Sequence, residues 1–196
     1  MIYFFQSFSL KTRFLALVIL LFPVLGFQWL FSGAPWALAA LKLAAHGAGV
    51  PDQGFWYSAA GLQSLFAAWG SRGREIYLTA LWPTDLGFLL SYGAFLTAAT
   101  LYLLKKANPA NSWWYLLPLV PLATAAIDLA ENLMVALALV LPPEGWDPVS
   151  WAASLLTAGK WVALGLSVTV LILGTGFSFV RLGWAKWKAP KDGDED

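Results

Sequence analysis

Cysteine is absent from the 196 residues, which excludes disulfides, thiolate metal sites and cysteine nucleophiles. Histidine occurs once, at His46, and one imidazole does not make a metal site, so no metal and no cofactor are expected. Charge is scarce as well. Only 12% of the residues are Asp, Glu, Lys or Arg, where a soluble domain carries about a quarter. The net charge of +1 removes the basic footprint that binding to nucleic acid requires. No glycine-rich phosphate loop, HExxH, GxSxG or paired-histidine pattern occurs.

What the chain does contain is apolar: 59% hydrophobic residues and a mean hydropathy of +0.66, with too little polar surface to coat a soluble domain. A hydrocarbon core ~30 Å thick needs about 20 apolar residues of helix. Four stretches of that order occur, at residues 14–31, 83–104, 113–141 and 150–180. The expectation is an all-α fold: a four-transmembrane-helix bundle forming a single integral membrane domain over residues 1–196. Ser32-Gly33-Ala34-Pro35 closes the first stretch, Lys105-Lys106 the second and Pro142-Pro143 the third, while Ser150 reads as the N-cap of the fourth. A signal-peptide core cleaved near Ala37-Leu38-Ala39 is the alternative for the first stretch, but its length and the apolar segment before it favour an uncleaved helix.

Lys11, Arg13, Lys105, Lys106, Arg181, Lys186, Lys188 and Lys191 fall on one side of this arrangement, and Lys42, Arg72 and Arg74 on the other. The positive-inside rule then puts both termini in the cytoplasm, as in a bacterial inner-membrane protein. Trp113, Trp114, Tyr115, Trp184 and Trp187 at one interface, and Trp146 and Trp151 at the other, read as anchors. Membrane lipids are the expected partners, a small amphipathic ligand is a further candidate, and nucleic acid is not expected.

Residues 32–82 form an insertion between the first two spans, read as short interfacial helices over the outer ends of the bundle. Ala34 to Ala45 reads as a helix with Pro35 in its first turn. Gly49 to Gly54 is turn chemistry, and Ser58 caps a second helix whose apolar face is Ala59, Leu62, Leu65, Phe66 and Trp69. Gly70-Ser71-Arg72-Gly73 interrupts it, and a new helix runs from Arg74 through Pro83, where a kink is expected. Residues 189–196 read as a disordered, solvated tail.

Four ionisable residues lie inside the spans: Asp85, Asp128, Glu131 and Lys160. Each costs roughly 2.5–3.5 kcal/mol at mid-membrane, so they must face one another, face water or be neutralised. Helical spacing allows the first solution. Arg74, Tyr77, Leu81, Asp85, Phe88 and Tyr92 make one stripe, Asp128, Glu131 and Asn132 a second, and Thr157, Lys160, Leu164 and Ser167 a third, with Gly165 suited to a close helix approach. One buried cluster is predicted, of Asp85, Asp128, Glu131, Asn132 and Lys160, with Arg74, Tyr77, Tyr92 and Thr157 around it. Three carboxylates meet one lysine, Arg74 offsets a second, and one acid is left with a raised pKa. That imbalance fits a structural network or a static site for a lipid-like ligand. It also fits a membrane-embedded acid/base enzyme acting on a lipid or isoprenoid, with Asp128, Glu131 and Lys160 as catalytic candidates. Proton or solute movement is the third reading, although polar residues thin out toward Thr124, Ser167 and Ser91.

The elements Gly70-x-x-Gly73-Arg74-x-x-Tyr77, Asp85, Tyr92, Asp128-x-x-Glu131-Asn132 and Thr157-x-x-Lys160-Trp161 together resemble a family of small, mostly bacterial, four-span integral membrane proteins. Where that pattern has a proline shortly before the second tyrosine, this chain has Leu89-Leu90-Ser91. The resemblance implies a four-helix fold and the same polar residues, and no activity. Likeness to sterol isomerases and sigma-2-receptor-like proteins is one of topology alone, which does not carry function.

Overall fold

A computed structural model describes residues 8–107, 111–141 and 146–188. The expected break at Pro142-Pro143 and the expected tail at 189–196 lie outside the described residues, as do the side chains of Trp146, Trp184 and Trp187. Among the described residues the chain is helical, with no strand. Four helical stretches are long and apolar enough to cross a membrane.

Helix α1 (Leu10–Ser32) starts where the Ser9 hydroxyl accepts the Thr12 N–H. α2 (Leu38–Ala44) is shorter than the Ala34–Ala45 expected, because Pro35 lies in the turn before it rather than in its first turn. The backbone leaves α2 through positive φ at His46 and Gly47, and the Gly47 N–H closes back on the Lys42 carbonyl at 2.7 Å. His46 is exposed there, a helix-ending residue rather than a ligand.

α3 (Ala59–Ile76) is capped by Ser58, as its sequence indicates, and buries Leu62, Phe66 and Trp69 on one face. The glycine-rich interruption is real but confined: Gly70 takes φ 56° and ψ −162°, a conformation glycine adopts without strain, and the helix resumes after it. α3 then passes through a π turn (Tyr77–Leu81) into α4 (Trp82–Ala107). At Pro83, where a kink is expected, the structure has this π turn just before the proline. Proline cannot donate to the carbonyl four residues back and crowds it, and the wide turn, closed by the Trp82 N–H on the Tyr77 carbonyl, absorbs the misfit.

The third stretch begins with a 3-10 turn (Ser112–Leu116) capped by Asn111, so α5 runs only over Leu119–Val140. The fourth, α6 (Trp146–Lys188), starts earlier and ends later than expected. Pro148 sits in its first turn, and Ser150 lies inside the helix, its buried hydroxyl without a hydrogen-bond partner among the described residues, so it is no N-cap.

α4 is the central element, packed against α1, α5 and α6, while α5 and α6 pair along their length. A methyl at Gly93 would lie 2.8 Å from the Ala125 side chain, so α4 and α5 approach closely there. Gly165, by contrast, faces open space and mediates no helix approach. Two apolar cores result. One joins α2, α3 and the π turn to the near ends of α5 and α6, around Leu41, Phe66, Trp69, Leu81, Val135 and Ala153. The other lies further along α4 at Leu89, Tyr92 and Leu96. Asp85 on α4, Asp128 and Glu131 on α5 and Lys160 on α6 fall between these two cores.

Candidate functional site

Lys160 is the hub. Its Nζ lies 2.6 Å from Glu131 Oε2, 3.1 Å from Asp128 Oδ1 and 3.4 Å from Asp52 Oδ2. Glu131 is 1% exposed, Asp128 4% and Lys160 5%, so these charges are removed from solvent and Lys160 attracts both acids through a medium of low dielectric. Positions 128, 131 and 132 share one face of α5, and 157 and 160 share the facing side of α6. Pairing of α5 with α6 therefore brings the charges together.

Around the hub, the second oxygens of both acids are occupied. Tyr92 donates its hydroxyl to Asp128 Oδ2 at 2.7 Å, and Thr157 donates to Glu131 Oε1 at 2.6 Å. Asn132 donates its side-chain amide to Asp85 Oδ2, and its backbone carbonyl accepts the Trp82 indole N–H at 3.3 Å. Tyr77 is buried and stacks on Trp69. The predicted cluster is thus brought together in all its members but one. Arg74 turns away: its guanidinium reaches the Phe66 carbonyl at 3.4 Å and lies 5.9 Å from the Phe66 ring centre.

Sequence reasoning missed Asp52 and Tyr57. A 3-10 turn (Pro51–Gln53) carries Asp52 to Lys160, and Trp161 donates its indole N–H to the Asp52 carbonyl at 3.3 Å. Tyr57 is fixed by its N–H to Ser154 Oγ at 3.0 Å, which places its hydroxyl 3.3 Å from that of Thr157. Burial pushes the Tyr57 phenol above its ordinary range. Both residues belong to a loop with no periodicity. The only available signal was an acidic residue beside proline, which reads equally well as turn chemistry.

Asp52 in place of Arg74 makes the balance more acidic than expected: four carboxylates, at 52, 85, 128 and 131, and one lysine. Beside them lies a cavity of about 10 Å³, lined by Asp52, Tyr77, Asp85, Glu131 and Asn132 and by apolar groups including Phe31 and Trp82. That is room for about one water. Among the described residues no group of three acidic or histidine side chains is arranged to hold a metal ion.

Replacing Tyr92 by Phe tests the wiring. Tyr92→Phe is expected to lower stability in detergent by about 1–2 kcal/mol, read from the unfolding midpoint, because buried Asp128 loses a donor while keeping Lys160.

The fold and site together define a class: an all-helical bundle with four helices able to span a membrane, closed over a buried ionic cluster. Compared with protein-family models, curated proteins and solved structures, the chain finds no match.

Proposed function

We propose that the chain is an integral membrane protein of the bacterial inner membrane, with both termini in the cytoplasm. Its ionic cluster braces the outer ends of α4, α5 and α6 and closes the insertion over them, and it binds a small lipid-like ligand. The observation that carries this reading is the three-way contact of Lys160 with α5 and with the 3-10 turn of the insertion. One side chain ties a loop to two spans, and it does so where the bundle would otherwise carry an unpaired charge. The exposed Trp113, Trp114 and Trp151 support interfacial ends, and the sequence resemblance to four-span bacterial membrane proteins agrees with it.

The chain lacks cysteine, so single introduced thiols report topology cleanly. Glu75 is exposed near the end of α3, before the π turn, and Lys105 is exposed near the far end of α4. In intact cells a membrane-impermeant maleimide is expected to label Glu75→Cys, and to label Lys105→Cys only after permeabilisation. The reverse pattern overturns the orientation, and equal labelling of both in intact cells overturns the span.

An acid/base enzyme on a lipid would need a substrate-sized apolar pocket at the carboxylates. The cavity there is water-sized and takes at most the head group of a small lipid-like ligand, which favours the bracing role. Accordingly, Asp128→Asn is expected to lower stability in detergent while cellular lipid and sterol profiles stay unchanged. A changed profile with a folded variant would establish the enzyme instead.

A further inference from the structure

The bracing contacts leave one part of the polar interior unused: the small cavity between the π turn, the Pro51–Gln53 turn and α5. An ordinary α-helix would leave Tyr77 and Asp85, eight residues apart, about 80° from alignment. The intervening π turn changes that register, and both residues line the same cavity. Such turns recur at functional sites.

Two observations say what the cavity would hold. The first is Tyr77, 5% exposed, whose hydroxyl has no hydrogen-bond partner among the described residues and feels the charges of Asp52, Asp85 and Glu131. Tyr77 lines the cavity, where an occupant can partner that hydroxyl. The second is the supply of acceptors. Asp85 is not among the ion-pair partners of Lys160, and one N–H of the Asn132 amide is given to it, so the polar part of a largely apolar wall offers carboxylate oxygens of Asp52, Asp85 and Glu131. Those oxygens favour a cation or a donor as occupant, about the size of one water. A multivalent metal is not favoured, because no three acidic or histidine side chains among the described residues are arranged to hold one.

We propose that this cavity binds one compact monovalent cation, either sodium or the primary ammonium head of an amphiphile, against Asp85 and Tyr77. The proposal rests on the reading of the cluster as a membrane-embedded brace and binding site. Partly exposed Phe31 and Trp82 line the same cavity and offer an apolar shoulder to an alkyl chain. A trimethylammonium head is too large for the space.

The test follows the thermal unfolding midpoint of the full chain in dodecylmaltoside by tryptophan fluorescence. In one series sodium chloride replaces choline chloride at constant ionic strength; in the other dodecylamine is compared with dodecyltrimethylammonium. A saturable rise with sodium but not choline identifies the ion as occupant, and a rise with the primary but not the quaternary amine identifies the ammonium head. Asp85→Asn is expected to abolish the rise. Tyr77→Phe removes a hydroxyl that holds nothing else, so the variant folds, and its half-saturation concentration should increase about tenfold. No saturable rise in either series, or a rise that survives unchanged in both variants, overturns the proposal. If the wild-type chain is membrane-embedded and destabilised by Lys160→Met yet shows no such rise, the cation is overturned and the brace still stands.

Discussion

Lys160→Met is expected to destabilise the folded chain by about 3–5 kcal/mol, because it removes one partner of a buried ionic group and leaves the others charged or forced to take up protons. Methionine keeps most of the volume and the apolar stem, so the loss reports the ammonium rather than a cavity. Glu131, whose Oε2 lies 2.6 Å from Nζ, loses its nearest cation, and Asp128 and Asp52 lose theirs at 3.1 and 3.4 Å. Unfolding midpoints of the purified chain in a mild detergent measure the effect. Lys105→Met, at an exposed lysine, serves as the control with a change near zero. A Lys160→Met midpoint equal to that of the control would show that the cluster does not hold the bundle together.

The same contacts show why the cluster was legible in the sequence and its edges were not. Asp128, Glu131 and Lys160 stand out because a charge inside an apolar helix has few affordable positions, and facing another charge is the cheapest of them. Helical periodicity then supplies Asn132 and Thr157 without further information. Asp52 has no such constraint: it sits in a 3-10 turn, and its contact with Lys160 spans more than a hundred positions of sequence. Arg74 was misplaced for the opposite reason. Steps of three and four were followed from Tyr92 back to Arg74 through the kink expected at Pro83, whereas a π turn at Tyr77–Leu81 changes the register between them. Tyr77 and Asp85 stay with the cluster, and Arg74 meets the Phe66 carbonyl. Ser150 misled through local chemistry. A serine after Asp-Pro reads as a cap, yet Pro148 is itself accepted in the first turn, so the helix starts before it.

Removing the three buried charges of the hub at once should undo most of the damage. The triple variant Lys160→Met, Asp128→Asn, Glu131→Gln is expected to lie within about 1–2 kcal/mol of the natural chain, well above Lys160→Met alone. Lone buried charges are what cost most, and the triple variant leaves none at these three positions. The neutral hydrogen bonds survive: Tyr92 still has an amide oxygen to donate to at 128, and Thr157 has one at 131. Asp52 loses its lysine, but its side chain is 27% exposed and stays hydrated. Unfolding midpoints of the single and triple variants, compared as a cycle, read the coupling directly. If the triple variant loses the sum of the single losses, the residues act independently and the hub is not one unit. If stability returns, the charges are dispensable for folding, and the triple variant becomes the folded background in which any ligand or activity that needs those charges must disappear. Bracing and binding, which every single substitution in the hub disturbs together, are then separated in one protein.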